Sequence, residues 1–163
     1  MTNRSATLER DTIVPEPKPR LGPEHRQLGA FAGAWTAEGV TVASASAAAE
    51  KMAHEHTYEW LPGGFFLLHR WNGHIGAHPS KGIEVIGYDP SSQAYEVHFF
   101  DSDGWSRIYQ GSVRDRTWAF TGSRERYTVT FANDGKTMTI HWDQLRDGGD
   151  WKPLCDVTAT RNH

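Results

Sequence analysis

From about Gly33 onward, the chain is a succession of short segments rich in Val, Ile, Thr and aromatic residues, each cut off by Gly, Pro, Asn, Asp or Ser. Such segments read as strands joined by tight turns, and about ten follow one another here with no helix between them. An unbroken antiparallel meander exposes two raw edges unless its first strand meets its last. The sequence therefore predicts an all-β fold: one antiparallel barrel of about ten strands within residues 23–163.

The turns place the strands. Trp35–Val42 is the first, and the Ala/Ser-rich stretch Ala43–Glu50 is open among helix, loop and poor strand. His54–Trp60 and Phe65–Trp71 flank Leu61-Pro62-Gly63-Gly64, while Ile83–Tyr88 and Tyr95–Asp101 flank Asp89-Pro90-Ser91-Ser92. Ser102-Asp103-Gly104 leads into Trp105–Gly111, and Arg114-Asp115-Arg116 into Thr117–Thr121. Arg126–Phe131 and Thr137–Gln144 flank Asn133-Asp134-Gly135-Lys136, the strongest hairpin signal in the chain. Asp147-Gly148-Gly149-Asp150 then precedes Trp151–Arg161. Ahead of the strands, Pro23 sits where a helix tolerates proline, Leu28, Phe31 and Ala32 follow at helical spacing, and Gly33 ends the segment. This short helix is expected to plug one end of the barrel. Residues 1–22, with Pro15, Pro17 and Pro19, read as a disordered, extended tail.

Alternation along each strand separates inside from outside. In the Asn133–Lys136 hairpin, Tyr127, Val129 and Phe131 fall opposite Trp142, Ile140 and Met138 on an inward face, which the last strand continues with Cys155, Val157, Ala159 and Arg161. Thr128, Thr130, Thr139, His141 and Asp143 face out, with His141 and Asp156 as a cross-strand pair. The first hairpin has an unusual inward face: His54, His56, Tyr58 and Trp60. Pairing Trp60 with Phe65 sets Tyr58 against Leu67 and His56 against His69, with Trp71 beyond. Ile86, Tyr88, Val97, Phe99, Ile108, Gln110, Trp118 and Phe120 complete the expected lining. A tight Ser102-Asp103 turn puts His98, Arg107 and Tyr109 on the solvated outer face with Glu96, and Glu84 and Asp89 read as a strand-surface charge and a turn residue.

Charge is nearly balanced, 17 Lys+Arg against 20 Asp+Glu, which argues against nucleic acid as a partner. No apolar N-terminal run or stretch of membrane-spanning length occurs, so neither a signal peptide nor a membrane partner is expected. The lone cysteine, Cys155, fits a cytoplasmic location. Homodimerisation stays open. His54, His56 and His69 form the most chemical-looking cluster, but no nearby Cys or inward carboxylate completes a tetrahedral set, so a polar patch is read there and no metal site. Motifs for phosphate loops, nucleophile elbows and zinc proteases are absent.

The segment Gly33-Ala34-Trp35-Thr36-Ala37-Glu38-Gly39 resembles the Gly-x-Trp signature of lipocalin-like (calycin) barrels, and more nearly the Gly-x-Trp-x-Gly-Glu-Gly form of nitrobindins, with Ala37 replacing a glycine. Gly87-Tyr88-Asp89, His98-Phe99-Phe100-Asp101-Ser102-Asp103-Gly104 and the Trp142 and Trp151 strands are similar to those of a lipocalin-like family of uncharacterised bacterial proteins. The resemblance spans residues 25–161 and implies a lipocalin-like or nitrobindin-like barrel, in which an arginine of the last strand, here Arg161, lies across Trp35. Nitrobindins ligate haem through a last-strand histidine followed by a Leu-x-Ala pattern. The matching stretch here is Asp156-Val157-Thr158-Ala159, so aspartate stands at the ligand position, which argues against haem by that route and leaves no cofactor expected.

These readings converge on a small-molecule binding protein whose cavity holds a hydrophobic or aromatic ligand against His54, His56, Tyr58, His69, Trp71, Tyr88, Phe99, Trp118 and Tyr127. The alternative is a cofactor-independent barrel enzyme, a cyclase, isomerase or dehydratase, in which His56 or His69 moves a proton and Tyr58 donates. A haem or nitric-oxide protein ligated through His56 or His69 is a third reading. Sequence alone leaves enzyme and carrier both open.

Overall fold

A computed structural model describes residues 17–163 as ten antiparallel strands closed into one barrel, in the order β1-β10-β9-β8-β7-β6-β5-β4-β3-β2. The strands are β1 (Gly33–Thr41), β2 (Lys51–Trp60), β3 (Phe66–Ile75), β4 (His78–Asp89), β5 (Ala94–Asp101), β6 (Ser106–Arg114), β7 (Thr117–Thr121), β8 (Glu125–Phe131), β9 (Thr137–Leu145) and β10 (Trp151–Arg161). Each strand pairs with its sequence neighbours, and β1 pairs with β10 from Trp35↔Arg161 to Thr41↔Cys155, so no edge is left over. Most of the tail expected over residues 1–22 lies outside the described residues, and residues 17–22 carry no helix or strand. Among the described residues, no helix is long and apolar enough to cross a membrane.

The helix α1 (Pro23–Gln27) and a single 3-10 turn (Leu28–Ala30) close one end. Leu28 and Phe31 reach the core, with Phe31 ringed by Tyr58, Trp118 and Phe131. Arg161 lies over Trp35 at 4.2 Å from the ring centroid, and its guanidinium donates to the carbonyls of Ala30, Ala32 and Gly135. The Trp35 indole donates to the Phe31 carbonyl at 2.8 Å. One buried ring, one cation and the carbonyls at the end of a short helix thus tie the first strand, the last strand and the plug together.

The β8/β9 hairpin and the inward face of β10 follow the alternation, including Tyr127↔Trp142, Val129↔Ile140 and Phe131↔Met138. His141 and Asp156 form the expected outward pair, 2.5 Å apart. The stretch 43–50 contains no strand. Three expectations are corrected. The β2/β3 loop closes one residue later in the chain on both sides, at Leu61 and Phe66, so His69 lies opposite Tyr58 and Trp71 opposite His56. A shift of two residues leaves the faces unchanged.

The second correction reverses a face. The β5/β6 turn has three residues, Ser102-Asp103-Gly104, with Gly104 at φ +88°, a conformation glycine adopts freely. Phe99 therefore pairs with Arg107 and Val97 with Tyr109, which brings Arg107 and Tyr109 inward and turns Ile108 and Gln110 out, onto the outer face that His98 occupies as expected. Thirdly, β3 and β4 run on to a turn at Gly76, beyond the expected Trp71 and ahead of Ile83, which adds a further stretch of paired strand at the open end.

Candidate functional site

Opposite the helical plug, the barrel interior opens into a cavity of about 280 Å³, near the lower end of small-molecule sites. Trp71, Phe99 and Trp142 give it aromatic walls, and Met52, Ile140 and Val157 add aliphatic ones. Trp71 stacks on Phe99 at 5.0 Å between centroids. Lys81, Asp101 and Asp103 stand among the polar lining. Among the described residues no plug covers this end, while the other end is filled by Leu28, Phe31 and the rings around them.

Three strands contribute a linear hydrogen-bonded chain to this wall. Glu84 on β4 is buried and lies opposite His69 on β3, and its Oε2 is 2.7 Å from His69 Nδ1. His69 Nε2 is in turn 2.7 Å from His56 Nδ1 on β2, a diagonal contact within reach of two long side chains. With Glu84 ionised and His69 neutral, these contacts assign the protons. The Glu84 carboxylate accepts from His69 Nδ1, so Nε2 of neutral His69 is a lone pair; it accepts from His56 Nδ1, which makes His56 Nε2 a lone pair as well. That last atom is buried and has no hydrogen-bond partner among the described residues, and His54 Nε2 is in the same condition.

The surroundings tune these groups. Burial, then His69 and then His54, pull the His56 pKa down to about 3. Burial and His74 lower that of His54. Tyr58 stacks flat on His69, 4.0 Å between centroids, and its phenol is pushed up by burial and by Glu84. A second polar group stands on the β6/β8 side: Glu125 Oε2 accepts from Tyr109 at 2.9 Å and from Arg107 Nε at 3.1 Å, with Arg107 lying over Trp105 and Phe99. Burial, and less so Asp156 and Glu125, push the Cys155 thiol up to about 12, so it stays protonated.

The cavity thus gathers His54, His56, His69, Trp71 and Phe99 from the residues that the sequence suggested. Tyr58 sits behind His69 and Tyr127 behind Trp142. Tyr88 and Trp118 lie with the plug, against His25 and Phe31 respectively. Glu84 corrects the surface reading given to it, and Arg107, Tyr109 and Glu125 were also missed as inward groups. A signal for Glu84 existed: it shares strand parity with Ile86 and Tyr88, so one carboxylate interrupts an apolar face. Asp89 is a turn residue, accepting from the backbone of Ser91 and Ser92.

The residues do not suit the haem site that nitrobindin resemblance implies. Asp156, at the ligand position, faces outward and is held by His141, and the inward face of β10 carries Cys155, Val157 and Ala159. An inward carboxylate is present after all in Glu84, yet it is committed to His69. Among the described residues, no group of three or more His, Cys, Asp or Glu is arranged to hold a metal ion.

Two solved structures share the architecture. The crystal structure of Rv2717c from M. tuberculosis is 14% identical over 88% of this chain and 100% of its own, with a TM-score of 0.68. The S-type phycobiliprotein lyase CPES from Guillardia theta is 11% identical over 88% of this chain and 94% of its own, with a TM-score of 0.53. At these identities the likeness is one of fold. No curated protein matches the sequence. Residues 20–161 match the family described as "Protein of unknown function (DUF1579)", and with the whole barrel inside that match, the chain belongs to the DUF1579 family.

Proposed function

We propose that the protein binds a small, largely apolar or aromatic molecule in the open-ended cavity, held between the faces of Trp71, Phe99 and Trp142 and oriented by His54 and His56. The observation that carries this reading is the pair of unanswered nitrogens, His54 Nε2 and His56 Nε2, buried in one wall of a mainly apolar cavity. Buried polar atoms almost always have partners, and leaving one bare costs about 1–3 kcal/mol. A bound molecule supplies those partners. The resemblance of Gly33–Gly39 to the opening of lipocalin-like barrels points the same way.

A native mass spectrum of the protein as purified from cells, compared with its denatured mass, tests the reading. An added organic mass that disappears on denaturation is the expected result. A clean unliganded mass, together with no binding from a panel of small aromatic compounds followed by tryptophan fluorescence, overturns it.

The Glu84–His69–His56 chain also favours a second reading, a cofactor-independent cyclase, isomerase or dehydratase acting in the same cavity. One protein with this fold is named a lyase, so the barrel accommodates chemistry as well as carriage. The readings separate on His56→Gln: an enzyme loses turnover and keeps binding, whereas a carrier loses affinity alone.

A further inference from the structure

Resting on the binding reading above, we propose that the ligand carries a weakly acidic hydroxyl, of phenol or enol type, which bridges His54 and His56 and yields its proton to the Glu84–His69–His56 chain, so that the ligand is held as its anion. The proton positions derived above make His56 Nε2 an acceptor only, so it answers a donor and rejects a second acceptor. His54 is not constrained in this way. With its proton on Nε2, it donates to the same oxygen. The two rings stand 5.8 Å apart between centroids, a spacing compatible with one hydroxyl oxygen bridging them through hydrogen bonds of ordinary length, about 2.8 Å each. A hydroxyl is the smallest group that both donates and accepts, and the apolar remainder of the cavity suits the ring or chain that bears it.

Proton transfer along this chain balances without any other reactant. The ligand O–H bond breaks and its proton bonds to His56 Nε2, while the oxygen keeps the electron pair. The His56 Nδ1–H bond breaks in turn and that proton bonds to His69 Nε2. His69, still bonded through Nδ1–H to Glu84, becomes the cation, and His56 ends neutral with its proton on the other nitrogen. This resolves an apparent difficulty. A proton resting on His56 is disfavoured, since burial and the neighbouring imidazoles hold its pKa down to about 3. The relay leaves the charge instead on His69, 2.7 Å from a buried carboxylate. The new oxyanion then faces N–H groups of both His54 and His56. Tyr58 packs on His69, His74 acts on His54, and the other titratable groups among the cavity residues are His78, Lys81, Asp101, Asp103, Arg107, Glu125 and Cys155; Arg107 is already engaged by Glu125 and His78 by Asp103.

The probe is para-nitrophenol, whose neutral and anionic forms differ in colour, with para-nitroanisole as the same shape lacking the proton. Both are titrated into the full chain at a pH below the pKa of the free phenol. The expected result is a bound spectrum of the phenolate, a bound-state pKa lowered by at least about one unit, and nitroanisole at least about tenfold weaker. Glu84→Gln keeps an acceptor for His69 but removes the charge that balances the cation. It is expected to bind the phenol in its neutral form, with circular dichroism and melting used to show that the barrel is intact. A neutral spectrum in the unmodified protein, equal affinity for nitroanisole, or phenolate binding undiminished in Glu84→Gln overturns the proton transfer while leaving cavity binding in place. Failure of both probes to bind overturns the inference, while the binding reading falls only with the unliganded native mass and the empty panel described above.

Discussion

Lowering the pH from 7 to 4 should weaken the barrel through His56, and the size of the effect follows from where the imidazole sits. Its ring is mostly buried, one nitrogen is committed to His69 and the other has no partner among the described residues, and its pKa falls from an ordinary 6.5 to about 3. In the unfolded chain the same residue titrates near 6.5. Between those values the unfolded state holds a proton that the folded state refuses, so stability is complete above about pH 6.5 and falls as the pH drops towards 3. At about 1.4 kcal/mol per pH unit, the loss reaches about 3 kcal/mol by pH 4. His56→Gln retains an N–H for His69 and removes the titration; carboxylates and His54 titrate in both proteins, so the difference isolates His56. Urea unfolding followed by tryptophan fluorescence at a series of pH values reads it. With an m-value of about 2 kcal/mol per molar, the midpoint of the unmodified protein should fall by about 1.5 M more than that of the variant. Parallel curves for the two proteins would refute the reasoning, since they would mean that water reaches and solvates the protonated ring.

Other sites give further tests. Arg161→Ala removes the cation over Trp35 and three carbonyl contacts, and should cost about 2–3 kcal/mol in thermal or urea unfolding, the loss being concentrated at the plugged end. Gly73→Ala puts a methyl group 2.0 Å from the Ala53 carbonyl oxygen and 2.7 Å from the His54 ring, so β2 and β3 must part; a loss of about 1–3 kcal/mol is expected, with weakened ligand binding from the displaced His54. His141, raised in pKa chiefly by its hydrogen bond to Asp156, behaves oppositely to His56: its contribution is present below pH 6.5 and fades as pH rises through its folded value. Because the pair is half exposed, His141→Ala should change stability by at most about 1 kcal/mol at pH 5 and less at pH 8.

How far the sequence reached is clearest in its turns. Asn133–Lys136 and the flanking alternation placed every pair of the β8/β9 hairpin, because a short loop and a period of two are local properties. Trp35 and Arg161 could be matched through the resemblance to lipocalin-like barrels, which implies an arginine of the last strand across that tryptophan. Where a turn held one residue more than its composition implied, as at Ser102–Gly104, the face of the next strand reversed and Arg107 and Tyr109 moved inside. The parity of His56 and His69 survived a shift of the β2/β3 register because the shift was even. Their partnership with Glu84 was not legible. Burying a carboxylate is tolerable only when a neighbouring strand delivers a hydrogen-bond donor to it, and that delivery depends on two registers at once. The sequence by itself determined the ten strands and the plug, consequences of local turn chemistry and alternation. Only the tertiary structure decided which end stays open and which polar side chains meet there, because these follow from how the closed strands are staggered against one another.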